Sequence, residues 1–259
     1  MSAPEGSVPE DKNAPDDESA LEDARAVEDA SVLERAARAP ARLVLVALTM
    51  ATASLDVTAF LRLGGVFASV MTSNLIFVSV AVVKTEAAFG RRCAVAILSY
   101  IVGVAVGSAI APPSGNENRL GARPLSLLLT AELAVVAGYA AWWMAVDGRP
   151  AGWAQLVLLG LLALAMGGQS AAARQLGNPN AGTTYMTGTL TSLVGSVAGR
   201  HRPDPESVAV LIALLAGAAA GVGLIDVAPV TVPLLALAGV GTAAVLSWTH
   251  DARAADDEG

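Results

Sequence analysis

Three acidic side chains interrupt or close long apolar stretches of this sequence. Asp56 lies within the stretch 43–61, Glu132 lies near the middle of the stretch 125–146, and Asp226 closes a later one. An ionisable group at the middle of a membrane is costly unless it is paired, protonated or hydrated. We therefore interpret Asp56 and Glu132 as candidate solute- or proton-binding residues. The competing interpretation is a carboxyl that only ties helices together, and Asp226 fits an ordinary position at a helix end.

A short polar motif occurs twice in the chain. It reads Met71-Thr-Ser-Asn-Leu75 in the first half and Met186-Thr-Gly-Thr-Leu190 in the second. Each copy follows a break that contains glycine, and each opens another apolar stretch. A polar motif that is repeated within hydrophobic sequence indicates a duplicated membrane protein with a site near its pseudo-symmetry axis. The alternative is that these side chains only hydrogen-bond between helices. The candidate binding residues in the two copies are Thr72, Asn74, Thr187 and Thr189.

The second half also contains a polar counterpart of Asp56. Gln169 stands about where Asp56 stands in the first apolar stretch, if two extra residues are allowed in the loop that follows. Arg174 then ends its segment as Arg62 ends the first. Such an arginine can extend its charge to the membrane surface, or it can pair with a carboxylate or an anionic solute. Gln169 is therefore another candidate binding residue.

Composition places these residues in a membrane protein. The 259 residues are 54% hydrophobic and 15% charged, whereas an ordinary soluble domain has about 25% charged residues. Residues 1–40 carry a net charge of −7 and residues 250–259 carry −3, but residues 41–249 carry +3. We predict that 1–40 is a disordered acidic tail in which 19–39 fit a short helix, and that 250–259 is a second disordered tail.

Eight apolar segments lie between the tails and predict an all-α, polytopic helical bundle with an internal duplication. Most segments have the roughly 20 residues that cross the hydrocarbon of a bilayer. The segment 183–198 is shorter and carries seven serine and threonine side chains, so it should be enclosed, line a cavity or be re-entrant. The two halves are 41–146 and 153–249. The eight segments are 43–61, 66–83, 93–111, 125–146, 153–173, 183–198, 208–225 and 230–248.

Loop charges favour eight spans over six. With eight spans and a cytoplasmic N-terminus, ten Arg and Lys residues lie inside and four lie outside, which agrees with the positive-inside rule. If both Met-Thr segments are re-entrant, six spans remain and the bias weakens. Eight spans make the halves a parallel repeat, whereas six make them a three-plus-three inverted repeat, a common transporter plan. We expect a multi-pass protein of the inner membrane.

Several kinds of site have no support in the sequence. There is no phosphate-binding glycine loop, no Ser-His-Asp set, no zinc spacing and no nucleic-acid-binding patch. The single cysteine, Cys93, allows no intrachain disulfide, and His201 and His250 lie far apart. We predict no catalytic residue, no metal and no cofactor. The expected surroundings are the lipid bilayer and a small solute or a proton, without nucleic acid.

Glycine pairs four residues apart occur within two of the apolar segments. They are Gly103 with Gly107, and Gly217 with Gly221. Small residues at this spacing allow helix backbones to approach closely. Their expected role is packing within the protein, and the alternative is contact between copies in a homo-oligomer.

The order of these motifs resembles the YoaK-like family of uncharacterised bacterial membrane proteins, domain of unknown function 1275. The resemblance is carried by Asp56, by the Leu-Gly-Gly turn and first Met-Thr motif over 63–75, by Gln169, and by Thr-Thr-Tyr-Met-Thr-Gly-Thr-Leu over 183–190. It covers about 41–249. The first motif departs from the family in having Ser73 where glycine is usual. The resemblance implies an integral membrane protein and supplies no substrate.

Two functions fit these observations. The leading hypothesis is a small-solute or ion permease, in which Glu132 or Asp56 couples transport to protons. The second is a non-transporting membrane scaffold or regulatory partner that docks through its acidic N-terminal region. An enzyme ranks below both because no nucleophile-and-base pair is visible. The residues predicted to line the permease site are Asp56, Thr72, Asn74, Glu132, Gln169, Thr187 and Thr189.

Overall fold

The structure of the protein is a computed structural model that describes residues 17–111, 123–175, 186–199, 202 and 204–257. This part of the chain contains eight α-helices and no strand, which confirms the prediction of an all-α bundle with eight helical segments. A short 3₁₀ turn, Pro229–Thr231, precedes the last helix. The helices are α1 Asp17–Arg62, α2 Met71–Val83, α3 Ala87–Ile110, α4 Arg123–Ala145, α5 Trp153–Gln175, α6 Met186–Ala198, α7 Pro205–Val227 and α8 Val232–Asp257.

The chain divides into two units, residues 1–39 and residues 40–259. In the first unit, helix α1 begins at Asp17, two residues before the predicted helix start at 19. Residues 1–16 of the predicted acidic tail lie outside the described part. The second unit contains all the long apolar helices and every candidate binding residue.

Six helices in the described part are long and apolar enough to cross a membrane. The other two, α2 and α6, have 13 residues each. At 1.5 Å per residue such a helix extends about 20 Å, which is less than the roughly 30 Å of bilayer hydrocarbon. The six crossing stretches are Ala39–Arg62, Ala87–Ile110, Arg123–Ala145, Trp153–Arg174, Pro205–Val227 and Pro229–Arg253.

The relative directions of α1 and α5 also argue against eight spans. Gln155 and Gln169 of α5 hydrogen-bond to the backbone carbonyls of Arg62 and Leu48 of α1, respectively, so these two helices run in opposite directions. In an eight-span chain α1 and α5 would both be odd-numbered spans and would run the same way. The direction of α5 therefore contradicts the eight-span arrangement that the loop charges favour, and the structure fits the six-span alternative.

Helices α1 and α5 occupy the centre of the bundle. Their spanning stretches are 61% and 67% buried, whereas the other four are between 22% and 44% buried. The core forms where these helices meet α4 and α8, because large side chains from all four fill the same space. Examples are Leu55 of α1, Leu129 of α4, Leu162 of α5 and Val240 of α8.

Glycines bring α3 and α5 into backbone contact. A Cβ atom added at Gly103 would lie 2.1 Å from the carbonyl oxygen of Leu164, and one added at Gly107 would lie 2.8 Å from the Cβ of Ala171. A Cβ added at Gly107 would also lie 3.2 Å from the Cα of Gly168. No side chain larger than hydrogen fits at such distances, so the glycine pair is required for packing.

The same kind of contact joins α7 to α1. A Cβ atom added at Gly217 would lie 2.4 Å from the carbonyl oxygen of Met50, and one added at Gly221 would lie 3.0 Å from the Cα of Ser54. These positions are equivalent to those of the α3–α5 contact. Residues 103 and 107 of α3 become 217 and 221 of α7 when 114 is added, and residues 50 and 54 of α1 become 164 and 168 of α5 by the same shift. Both glycine pairs therefore serve packing within the protein.

Polar side chains join α4 to α8. The Ser126 hydroxyl lies 2.6 Å from the hydroxyl of Ser247 and donates to a carboxylate oxygen of Asp251 at 2.6 Å. The indole N–H of Trp248 donates to Thr130 at 3.0 Å. Helix α8 continues past Asp251 to Asp257. Residues 250–257, which the sequence assigns to a disordered tail, are helical in the structure.

Candidate functional site

The carboxylate of Asp56 binds the segment that connects α1 to α2. Its Oδ1 atom accepts hydrogen bonds from the backbone N–H groups of Ala68 and Ser69, both at 2.8 Å. Its Oδ2 atom accepts a short hydrogen bond from the Ser69 hydroxyl. The side chain of Asp56 and both partner residues are buried. Both oxygens of this carboxylate are therefore occupied by the protein itself.

The amide of Asn74 binds the same connecting segment one residue earlier. Its Oδ1 atom accepts from the backbone N–H of Phe67 at 3.1 Å, and its Nδ2 group donates to the carbonyl oxygen of Phe67 at 2.7 Å. Asn74 is fully buried. Two of the predicted binding residues, Asp56 and Asn74, thus bind one short segment, residues 67–69. We call this arrangement the connector clamp.

Local sequence explains why the connector turns back toward α1. Gly64 and Gly65 have φ angles of 107° and 80°, a left-handed conformation that side chains disfavour. The side chain of Arg92 covers Gly64, where a Cβ atom would lie 2.5 Å from its Cδ. Asp56 precedes the end of α1 by six residues, or about 9 Å along the helix axis. Since Ser69 reaches Asp56, the chain re-enters the bundle before α2 begins.

Gln169 binds a helix, whereas Asp56 binds a connecting segment. Its Oε1 atom accepts a hydrogen bond from the Thr52 hydroxyl at 2.6 Å, and its Nε2 group donates to the carbonyl oxygen of Leu48 at 3.3 Å. Both partners lie on α1, before Asp56. Gln169 therefore ties the two central helices together and does not hold a connector.

The threonines of the two Met-Thr motifs lie in separate places. Thr72 is exposed on α2, which packs against α3, whereas α6 packs against α7. On α6, Thr187 is exposed and Thr189 is buried. The residues just before the second motif, 176–185, lie outside the described part. Each motif thus packs within its own half of the chain.

Glu132 lies in the wall of a cavity of about 240 Å³ between α3, α4 and α5. The side chain is only 3% exposed, and in the described part of the protein neither carboxyl oxygen has a hydrogen-bond partner. The glycines Gly103, Gly107 and Gly168 form part of the cavity wall. The packing that brings α3 against α5 therefore also shapes the space in front of Glu132.

The chemistry of this cavity follows from its lining. Glu132 is the one polar side chain among the twelve residues around it. A buried carboxylate without a partner is costly, and the cost falls when the group takes up a proton or meets a cation. No three His, Cys, Asp or Glu side chains lie close enough to hold a metal ion within the described ranges. We therefore identify Glu132 as the candidate functional group and its cavity as the candidate site.

The sequence contains the glycines of the cavity wall but no sign of the cavity itself. Gly103 and Gly107 are predicted to allow close helix packing, and in the structure they do so. Gly168 attracts attention in the sequence only because it precedes Gln169. Ser69, which completes the connector clamp, has no distinguishing feature in the sequence. The hydrogen bonds of Asp56 reach residues 12 and 13 positions further along the chain. This spacing matches neither a helical nor a strand period, so sequence periodicity does not predict it.

A family model and one curated relative match the chain. The family model described as "Protein of unknown function (DUF1275)" matches residues 44–247. The UPF0700 transmembrane protein YoaK of Bacillus subtilis (strain 168) is 29% identical over 160 residues, which are 61% of this chain and 68% of that protein. No solved structure matches the chain. The matched region contains every spanning stretch except the ends of the first and last.

Proposed function

Because this chain belongs to the DUF1275 family, which is described as of unknown function, we propose its function from its own geometry: a permease for a small solute. In this proposal Glu132 binds the solute or the proton that is exchanged for it. The observation that carries the proposal is the buried carboxyl without a partner at a cavity of about 240 Å³. Ionisable residues within membrane helices commonly mark solute or proton pathways.

The other predicted residues have smaller roles in this proposal. Asp56 and Asn74 use their polar atoms to hold the connector, and Gln169 uses its amide to hold α1. Groups that are already satisfied by the protein gain little from a solute. Glu132 is different because an incoming proton or cation gives it its first polar partner. We therefore assign solute or proton binding to Glu132 and a structural role to the other three.

The internal correspondence of the two halves supports a transporter. The contact of α3 with α5 uses the same positions as the contact of α7 with α1 once residue numbers are shifted by 114. Since α1 and α5 run in opposite directions, this correspondence supports an inverted repeat as the arrangement of the halves. Inverted repeats allow one half to rock against the other around a central site, which is the common mechanism of alternating access. A scaffold has no need of this arrangement.

We further propose that the N-terminus lies in the cytoplasm and that α2 and α6 are re-entrant. With six spans, nine Arg and Lys residues flank the spans inside and five flank them outside. This bias is weaker than ten against four, but it has the same sign. The positive-inside rule therefore places residues 1–39 on the cytoplasmic side of the inner membrane.

Replacing Glu132 with glutamine should remove solute-driven proton movement. The purified protein is reconstituted in liposomes that contain a pH-sensitive dye, and amines, amino acids, organic acids and sugars are added one at a time. For a transported solute, we expect the Glu132→Gln rate to fall at least about tenfold, as expected when a carboxyl that handles the proton is lost. Empty liposomes correct for solutes that cross the lipid unaided.

Glu86→Gln is the matched control, because Glu86 is an exposed carboxyl just before α3. It should transport at the wild-type rate. A Glu132→Gln protein that transports as well as Glu86→Gln would contradict the assignment of Glu132. If the wild-type protein moves none of the solutes, and deletion of 1–39 instead removes a bound partner protein, the scaffold replaces the permease.

A further inference from the structure

We infer that the Glu132 cavity binds a small organic cation with an apolar body, and that this cation enters from the bilayer between α3 and α4. The inference names the solute class for the site described above, so it rests on the proposed function in that respect. Its physical basis is the pairing of one buried carboxyl with an otherwise apolar lining.

The lining selects among classes of solute. An anion would face the carboxylate with no cation to compensate for it. A sugar or a zwitterionic amino acid would bury several polar groups where Glu132 offers the one polar side chain, and each polar group left without a partner lowers affinity. An organic cation with an apolar body has no uncharged polar groups that would be left without a partner. Its charge meets Glu132, and its body contacts side chains such as Val135 and Leu164.

The cavity is open on the side of α3 that faces outward. Val102 and Val106 both line the cavity, yet each is 52% exposed on the surface of the protein. Ala131 of α4 also lines it and is exposed. Glu132 lies near the middle of α4, so the opening lies at the level of the hydrocarbon. A cation with an apolar body collects at the bilayer surface, where its charge stays hydrated and its body enters the hydrocarbon, and it reaches the opening from there.

The size of the cavity suits a molecule with one ring. A volume of about 240 Å³ equals that of roughly eight water molecules. A benzene ring with a small ammonium group fits this space. Benzyltrimethylammonium is therefore a suitable probe: it has a permanent positive charge, an aromatic body and no hydrogen-bonding group.

The test measures equilibrium binding of radiolabelled benzyltrimethylammonium to the full-length protein in lipid nanodiscs. We expect saturable binding to the wild type and an affinity at least about tenfold lower for Glu132→Gln, because a buried charge pair is lost. Ala131→Phe should also weaken binding at least about tenfold, since it fills the opening and retains Glu132. Ala137→Phe, on an exposed part of α4 outside the cavity lining, should bind like the wild type.

Three results would overturn the inference: no saturable binding to the wild type, equal binding by Glu132→Gln, or equal binding of benzenesulfonate, which has the same ring with a negative charge. Probe binding without any solute-driven pH change supports the cation site and contradicts the permease. A pH change with a different solute and no probe binding supports the permease and contradicts the cation site.

Discussion

Replacing Asp56 with alanine is expected to remove most of the folded protein from the membrane. The change leaves two backbone N–H groups and one hydroxyl of Ala68 and Ser69 buried without an acceptor. Each such group costs about 1–3 kcal/mol, and the total stability of a domain is only about 5–15 kcal/mol. Fluorescence-detected size-exclusion chromatography of detergent extracts should show a monodisperse peak reduced at least about tenfold.

The matched control is Asp226→Ala, because Asp226 is an exposed carboxylate at the end of a spanning helix. Its peak should equal that of the wild type. Asp56→Asn should fall between the two, since an amide oxygen can still accept from one or both N–H groups. If Asp56→Ala were as stable as Asp226→Ala but inactive in transport, Asp56 would be a solute ligand and the connector clamp would be refuted.

Replacing Gly103 with leucine should separate α3 from α5 and prevent assembly of the bundle. The new Cβ would lie 2.1 Å from the carbonyl oxygen of Leu164 and 3.1 Å from the Cα of Gly167. These are backbone atoms, so no side chain can rotate away to make room. Overpacking usually costs about 1–3 kcal/mol, and a clash between two backbones should exceed that range. The midpoint of thermal unfolding in detergent measures the effect.

Gly217→Leu should be about as harmful, because its Cβ would lie 2.4 Å from the carbonyl oxygen of Met50. Gly138→Leu and Gly223→Leu are the controls, since nothing lies within 4 Å of a Cβ atom at either position. Both controls should unfold near the wild-type temperature. Strong destabilisation by Gly103→Leu together with tolerance of Gly217→Leu would refute the equivalence of the two halves.

The helices were predictable from the sequence, but the number that cross the membrane was not. The apolar run 66–83 has the length and composition of a spanning helix. In the structure, Val66 and Ala68 are buried because the connector folds back into the bundle, and the helix begins only at Met71. Hydropathy responds to burial and does not distinguish a buried connector from a helical turn. The loop charges were then counted on the wrong number of spans.

The residues of the candidate site were predictable from the sequence, but their partners and the cavity were not. The middle of an apolar helix is an unusual place for a carboxyl, so Glu132 could be identified from its position alone. Asp56 was identified by the same criterion, but its partners are set by a turn that only the folded chain forms. Under the shift of 114 residues, Gln169 corresponds to position 55 and not to Asp56. The cavity needs three helices to enclose it, and no local pattern encodes that.

The sidedness of α2 is the most direct test of the inverted repeat. Cys93 is replaced by serine, single cysteines are placed at Ser2 or Ala88, and each protein is labelled with a membrane-impermeant thiol reagent in intact and in permeabilised cells. Ala88 is exposed just inside the start of α3, so it reports the side on which α2 ends. We predict that Ala88→Cys labels in intact cells and that Ser2→Cys labels only after permeabilisation. If both cysteines lie on the same side, α2 crosses the membrane, and the inverted repeat on which the permease proposal depends is contradicted.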